Sequence, residues 1–225
     1  MRLSIILPVL NEAAAIGAAL RRLREQAPEA EIIVADGGSG DGTAELARAE
    51  ARVVLTERGR ARQMNAGARA ATGDWLLFLH VDSRLPEGFP AEIAAAEAAG
   101  FEAGAFRLRI EGRHPLLPLL AWGANLRSRW RGIALGDQAL FVRRTLFERL
   151  GGFPALALME DYAWSLRLRR EGIPLYLSPR RVVTSGRRWD QAGFWRTWWR
   201  MRRYFRHFDR TGDAERLARD YSDIR

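Results

Sequence analysis

The stretch Trp75-Leu76-Leu77-Phe78-Leu79-His80-Val81-Asp82 decides the fold class, because five consecutive apolar residues run directly into polar ones. An apolar run of this length between polar flanks predicts a strand that is buried on both faces of a mostly parallel sheet. Such a strand carries its ligand chemistry at its carboxyl end. His80 and Asp82 lie there two residues apart, so on a strand both side chains point to the same side.

Strand and helix patterns alternate around this stretch. The alternation predicts an α/β fold in which helices cover both faces of a mostly parallel sheet. Before the stretch, strands are predicted at residues 3–7, 31–35 and 52–55, and helices at 12–26, 44–51 and 60–71. After it, the patterns predict a helix at 87–99, an antiparallel strand at 105–110, strands at 139–143, 175–177 and 182–183, a helix at 160–170 and an amphipathic helix at 190–207. The segment 116–131 is first apolar and then basic, and no element is assigned to it.

Composition excludes several kinds of chemistry. The 225 residues include no cysteine and three histidines, and all 36 basic residues are arginine. Disulfides, thiol nucleophiles, lysine Schiff bases and a Walker-type phosphate loop are therefore excluded. Residues 180–225 hold 13 of the arginines against 6 acids, so most of the net charge of +9 lies in the carboxyl-terminal tail. The sequence has neither a signal-peptide pattern nor an apolar run of 18 residues, which predicts a cytoplasmic protein.

Two loops at the ends of neighbouring strands form a candidate nucleoside site. The first is Pro8-Val9-Leu10-Asn11-Glu12, and the second is Asp36-Gly37-Gly38-Ser39. Both leave the same edge of the predicted sheet, where Asp36 can accept hydrogen bonds from a nucleobase and small residues let the base approach. A helix cap and a tight turn remain the alternatives for the two loops. The glycine pattern is not the dinucleotide fingerprint, because it follows the second strand and not the first.

Acidic and basic residues farther along supply the remaining candidates. An aspartate at the end of a central strand favours a cation, which predicts Asp82 as the ligand of a divalent metal. Glu160-Asp161 begins a predicted helix, where it either complements the helix dipole or provides a general base. Arg62 on the third helix and the run Arg187-Arg188-Trp189 either meet phosphate or are solvated at the surface.

Together these motifs resemble the family 2 glycosyltransferases with a GT-A fold. The resemblance spans roughly residues 1–190, and it is closest to a small bacterial subgroup sometimes assigned to arsenosugar biosynthesis. The motifs that carry it are Pro8–Glu12, Asp36–Ser39 with Asp41-Gly42-Thr43, Arg60–Asn65 with Ala66-Gly67, His80-Val81-Asp82, Gly136-Asp137-Gln138, Met159-Glu160-Asp161 and Ser185–Trp189. In this sequence His80 replaces the first acid of the usual Asp-x-Asp motif, and Gly37 replaces a second acid beside Asp36.

The resemblance implies a role for each motif. Asp161, with Glu160 as its neighbour, would be the base of an inverting transfer from a nucleotide-diphosphate sugar, with UDP favoured, to an acceptor hydroxyl. Asp82, helped by His80, would hold Mg²⁺ or Mn²⁺. Donor-binding roles would fall to Pro8, Asn11, Glu12, Asp36, Gly38, Ser39, Arg62, Asn65, Arg187, Arg188 and Trp189.

The predicted organisation is a GT-A domain at 1–189, with a nucleotide-binding half at 1–82 and an acceptor half at 83–189, followed by a basic aromatic helical tail at 190–225. The alternatives are a sugar nucleotidyltransferase and a non-enzymatic basic module that binds membrane or nucleic acid, although nucleic acid is disfavoured. For residues 190–208, packing on the domain, contact with the inner face of an anionic membrane and homodimerisation stay open.

Overall fold

A computed structural model describes residues 1–213, in which one mixed sheet forms the centre of the molecule. Its strand order is β3-β2-β1-β4-β7-β6-β8-β5. The strands are β1 (Leu3–Val9), β2 (Glu31–Asp36), β3 (Arg52–Leu55), β4 (Trp75–Phe78), β5 (Ser83–Arg84), β6 (Ala103–Glu111), β7 (Phe141–Arg143) and β8 (Leu175–Ser185).

Helices cover both faces of this sheet. They are α1 (Ala13–Gln26), α2 (Thr43–Ala47), α3 (Arg60–Ala70), α4 (Phe89–Ala98), α5 (Leu117–Arg131), α6 (Arg144–Arg149), α7 (Glu160–Arg170), α8 (Arg187–Ala192) and α9 (Phe194–Thr211), with a 3₁₀ turn at Gly136–Gln138. Within the part of the chain that the structure describes, none of these helices is long and apolar enough to cross a membrane.

The amino-terminal half of the sheet is parallel, as the alternating pattern predicts. β1 lies between β2 and β4, and β3 pairs with the far side of β2. The residues of β4 are buried on both faces of the sheet. On the other side of β4 the sheet changes direction, because the short strand β7 pairs antiparallel with both β4 and β6. The carboxyl ends of β1, β2 and β4 consequently lie at one edge, which positions the site described below.

β4 is shorter than the apolar run predicts. It ends at Phe78, and the amide of Ser83 donates to the carbonyl of His80 in the turn that follows. Pairing stops there because β7 contributes only three residues on that side. His80 and Asp82 therefore lie in a turn beyond the strand, and the period-two argument for their orientation does not apply.

The carboxyl-terminal half differs from the sequence patterns in three places. The unassigned segment 116–131 forms α5. The two short strands predicted at 175–177 and 182–183 are one strand, β8, whose pairing with β6 shifts register between Phe106 and Arg107. The helix predicted at 190–207 is two helices, because Gly193 has a φ of 81° and breaks the chain between α8 and α9.

α9 is packed onto the domain through one face. Phe194 belongs to the main core, while Tyr204 and Phe208 form a smaller core with Met159 and Tyr162. The amphipathic helix predicted from the sequence is thus present, and its buried side chains pack against the domain. The predicted boundary after residue 189 remains a prediction, and residues 214–225 of the predicted tail lie outside the described residues.

Candidate active site

The two candidate nucleoside loops are joined to each other by hydrogen bonds. The Asn11 amide donates to Ser39 Oγ at 2.8 Å, and the Gly40 amide donates to Asn11 Oδ1 at 3.0 Å. The Glu12 amide donates to Thr43 Oγ1 at 2.8 Å. Asn11 holds this geometry with a φ of 55°, a conformation that costs a non-glycine residue about 1–3 kcal/mol and clusters at functional sites. The loops therefore form one preorganised wall.

Asp36 is buried at the centre of this wall. Its Oδ1 accepts the amides of Gly38 and Ser39 at 2.8 and 2.7 Å. Its Oδ2 is also buried but has no hydrogen-bond partner among the described residues. Because a buried carboxylate oxygen is costly to leave unpaired, Oδ2 is suited to accept an N–H group from a ligand.

Three polar residues of α3 have different surroundings. Gln63 is buried, and its Nε2 donates to the carbonyls of Val9 and Ala35 at the ends of β1 and β2. Asn65 bonds through both ends of its amide to the backbone of Phe153, which ties α3 to the loop ahead of α7. Arg62 is exposed and pairs with Glu57.

The amide of Asn65 holds the Phe153 backbone, and its predicted donor-binding role remains a prediction. Arg62 is held at the surface by an exposed carboxylate and is not joined to the nucleoside loops. Gln63, which the sequence reasoning missed, connects α3 to both loops. Its place within the Arg60–Asn65 motif was the available signal.

Asp161 lies in a small pocket at the carboxyl end of β4. The pocket is lined by Pro8, Met64, Phe78, Leu79, His80, Gly136, Leu140, Phe153 and Asp161. Asp161 Oδ2 accepts the amide of Gly136 at 2.7 Å. A Cβ atom at Gly136 would lie 3.0 Å from His80 Nε2 and 3.2 Å from Asp161 Oδ2, so glycine allows these side chains to converge. Residues far apart in the sequence thus meet in one site.

Arg60, which the sequence reasoning did not select, joins the polar side chains of this pocket. Its Nε lies 3.0 Å from Glu160 Oε1, and its Nη2 lies 2.9 Å from His80 Nε2 and 3.8 Å from Asp161 Oδ2. The Glu160 side chain is only 2% exposed, so its charge needs a close cation. Glu160 is therefore a partner of Arg60, and Asp161 is the more accessible carboxylate at 14% exposure.

Asp137 adds a further carboxylate that was missed. Burial raises the pKa of Asp137 and the negative charge of Asp161 adds to this effect, while Arg127, Arg60 and Arg188 oppose it. Its Oδ1 is buried without a hydrogen-bond partner in the described part of the chain. The sequence signal for a functional role of Asp137 was its place in the Gly136-Asp137-Gln138 motif.

The predicted metal ligands do not form a closed metal site. Asp82 is exposed in the turn after β4, and the His80 ring faces the Arg60 guanidinium, which a metal-binding nitrogen would avoid. Residues 1–213 contain no group of three His, Asp or Glu side chains placed to hold a metal. One exposed carboxylate still fits Mg²⁺ or Mn²⁺ when substrate phosphates and water supply the other ligands. The residues therefore fit the metal through Asp82, and ligation by His80 remains a prediction.

The basic element Arg187-Arg188-Trp189 begins α8. Both arginines are exposed, and the charge of Arg188 reaches Asp137. Trp189 packs on the main core and lies 5.4 Å from Phe194, measured between ring centroids. Trp189 thus fixes α8 to the domain, while both arginines are exposed to solvent.

One half of the sheet is parallel and has polar loops at its carboxyl edge, and the other half is mixed and carries a buried acidic site. This combination defines the class of this protein. Comparison with solved structures identifies it as the GT-A fold. The chain aligns with a mannosyltransferase from Pyrobaculum calidifontis in complex with GDP-Man and Mn²⁺, with a TM-score of 0.67 and 23% identity over 96% of this chain and 66% of that one. It aligns with S. aureus TarS 1–349 in complex with UDP-GlcNAc, with a TM-score of 0.66 and 19% identity over 82% of this chain and 58% of that one.

The sequence comparisons define the family. The model of the family described as "Glycosyl transferase family 2" matches residues 4–120. A PGL/p-HBAD biosynthesis glycosyltransferase of Mycobacterium tuberculosis is 34% identical over 187 residues, which cover 73% of this chain and 68% of the relative. The chain belongs to glycosyl transferase family 2, so the predicted family and fold are confirmed. The arsenosugar subgroup remains a prediction.

Proposed function

We propose that this glycosyltransferase moves a sugar from a nucleotide-diphosphate donor to an acceptor hydroxyl, with inversion at the anomeric carbon. The favoured donor is a UDP-sugar. The observation that carries the proposal is the convergence of His80, which stands two residues before Asp82, with Asp161 and Pro8 in one pocket. Pro8 of the first nucleoside loop and the proposed proton acceptor Asp161 border this pocket, and the turn that carries Asp82 begins at its lining residue His80. A nucleotidyltransferase is disfavoured because Pro8–Glu12 lacks the glycine and basic residues of a triphosphate-binding loop.

Asp161 is the proposed general base. As the acceptor oxygen attacks the anomeric carbon, its proton passes to the Asp161 carboxylate, the new C–O bond forms, and the bond to the diphosphate oxygen breaks with its electron pair. The Gly136 amide and Arg60 hold the carboxylate in place. Arg187 and Arg188 would stabilise the negative charge that develops on the leaving diphosphate.

Asp82 is the residue that would hold Mg²⁺ or Mn²⁺. When bound, the metal would neutralise charge on the diphosphate and make it a better leaving group. Support comes from the exposure of Asp82 after β4 and from Mn²⁺ in the complex of the Pyrobaculum calidifontis mannosyltransferase. Metal dependence is tested by measuring transfer after chelation and after Mn²⁺ is restored.

Asp36 is the proposed nucleobase contact. Its buried Oδ2 can accept an imino N–H, which uracil and guanine both carry. A thermal-shift screen of UDP, GDP, CDP and dTDP, each with and without Mn²⁺, identifies the nucleotide, because ligand binding to the folded state raises its stability. We expect UDP with Mn²⁺ to give the largest shift.

The Asp161→Asn variant tests the proposed base. We expect the transfer rate to fall about 10²–10⁴-fold, because the amide cannot take the acceptor proton. Nucleotide affinity should stay within a few-fold of the native value, since Asp161 is proposed to act on the acceptor and Asp36 on the nucleobase. Glu148→Gln, an exposed acid-to-amide change on α6, is the control and should leave both quantities unchanged. Equal loss of transfer and nucleotide binding in Asp161→Asn would instead assign Asp161 a structural role.

A further inference from the structure

The exposed face of α5 is apolar where a surface helix is normally polar. Leu119, Trp122, Leu126 and Trp130 follow one another at intervals of three, four and four residues, so they form one stripe along the helix. Their exposed fractions are 60%, 61%, 39% and 79%. The opposite face of α5 packs on the domain. Four large apolar side chains in one exposed row indicate a docking surface.

α9 lies beside α5 and extends this surface. The ring of His114, just ahead of α5, stacks on Phe194 at 4.3 Å, and the guanidinium of Arg127 lies 5.8 Å from the ring centre of Phe205. The segment ahead of α5 therefore touches the start of α9, and a later turn of α5 touches α9 near Phe205. α9 exposes Trp195 and Trp199, so six of the nine exposed large apolar residues of the described chain are on these two helices.

The same two helices are strongly basic. Together they contain nine arginines and one acid, Asp209, which is already bonded to the Tyr162 hydroxyl. Arg129 and Arg131 end α5, and Arg202, Arg203 and Arg206 are exposed on α9. Exposed tryptophans next to arginines match the interface of an anionic bilayer, where indole rings lie among the headgroups and guanidinium groups meet phosphates.

We infer that α5 and α9 form a surface that docks on an anionic lipid bilayer. A second copy of this chain is a poorer occupant, because a symmetric contact would bring nine arginines against nine others. Nucleic acid is also poorer, because the aliphatic side chains of Leu119 and Leu126 cannot stack with bases as aromatic rings do. This inference concerns binding and stands independently of the proposed transfer reaction.

Flotation of the full chain with lipid vesicles tests the inference. Vesicles of phosphatidylcholine alone are compared with vesicles that also contain phosphatidylglycerol, at low and high salt. We expect binding to the anionic vesicles, weakened by salt, with a blue shift of tryptophan emission. No binding to anionic vesicles at low salt would overturn the inference.

Two variants test the roles of the tryptophans and the arginines. Trp122→Ser with Trp130→Ser should weaken vesicle binding at least ~tenfold, because both indoles lose their burial in the interface. Arg129→Gln with Arg131→Gln should weaken it about fivefold for each charge removed. Neither variant should alter nucleotide-induced thermal stabilisation, which separates this inference from the proposed function.

The matched control is Leu46→Ser with Leu55→Ser, which removes two exposed leucines near the other edge of the sheet. It should bind vesicles like the native chain. Equal loss in the control and in the tryptophan variant would contradict a specific surface. A dimer in light scattering that the tryptophan variant dissociates, with no vesicle binding, would assign the surface to self-association and overturn the inference. Binding to single-stranded nucleic acid in place of vesicles would overturn it as well.

Discussion

The nucleoside wall and the Asp161 pocket are built from different interactions, although they lie at the same edge of the sheet. The wall is held by hydrogen bonds between two loops close in space, most of them from backbone amides to Asn11, Asp36, Ser39 and Thr43. The pocket is held by side-chain charges, with Arg60 between Glu160, Asp161 and His80. Substitutions in the pocket should therefore disturb stability and transfer, and substitutions in the wall should disturb nucleotide affinity.

The largest expected effect on stability comes from Arg60→Gln. The buried Glu160 carboxylate then loses the guanidinium that lies 3.0 Å away, and losing one partner of a buried ion pair costs about 3–5 kcal/mol in the free energy of unfolding. Arg62→Gln, two residues on, is the control; its pair with Glu57 is exposed and contributes about 0–1 kcal/mol. Chemical denaturation measures both. Similar losses in the two variants would contradict the buried charge pair as the interaction that holds the pocket together.

A smaller, more local effect is expected from Asp36→Asn. The amide keeps one oxygen for the turn but replaces the second acceptor with a donor, so a hydrogen bond to the nucleobase worth about 1.5–3 kcal/mol is lost. Nucleotide affinity, measured by calorimetry, should fall about tenfold or more. Asp74→Asn, at the opposite end of β4, should leave affinity unchanged. Unchanged affinity in Asp36→Asn would remove Asp36 from the nucleotide site.

The smallest effect is expected from Asp137→Asn, and its sign depends on pH. Burial raises the pKa of the Asp137 carboxyl above its ordinary value of 3.8, so the charged form is less stable in the folded chain than in the unfolded chain. The neutral amide should therefore raise stability at neutral pH, and the gain should vanish as the pH falls towards 3.8. Arg127 and Arg60 offset part of the cost, which keeps the gain small. A gain that grows on acidification would contradict this account.

The parts of the molecule set by local pattern were predictable from sequence. The parallel half of the sheet follows from apolar runs and helix periodicity, and the loops after β1 and β2 follow from those strands. Arg60 and Asp137 could not be selected in the same way, because nothing local distinguishes Arg60, which meets the buried Glu160 carboxylate, from the other arginines. The end of β4 at Phe78 was equally hidden, since it depends on the length of β7, a strand more than 60 residues away.

The buried face of α5 could not be predicted from the sequence either. Its sequence contains enough leucine and tryptophan for a core helix, so the pattern alone does not say which row is buried. Only the neighbouring elements settle this, by covering Leu117 and Ala121 and leaving Trp122 and Trp130 in solvent. The basic aromatic character of α9 was visible from the sequence, but its pairing with α5 required the folded chain.

The hydroxyl of Tyr162, the residue directly after Asp161, donates to Asp209 on α9 at 2.7 Å, and its ring packs on Phe205 and Phe208. Burial and the bond to Asp209 raise the pKa of Tyr162 to about 12, so the phenol keeps its proton under all physiological conditions. This contact joins α9 to the start of α7. A displacement of α9 would therefore move Tyr162, which directly follows the Asp161 carboxylate at the start of α7.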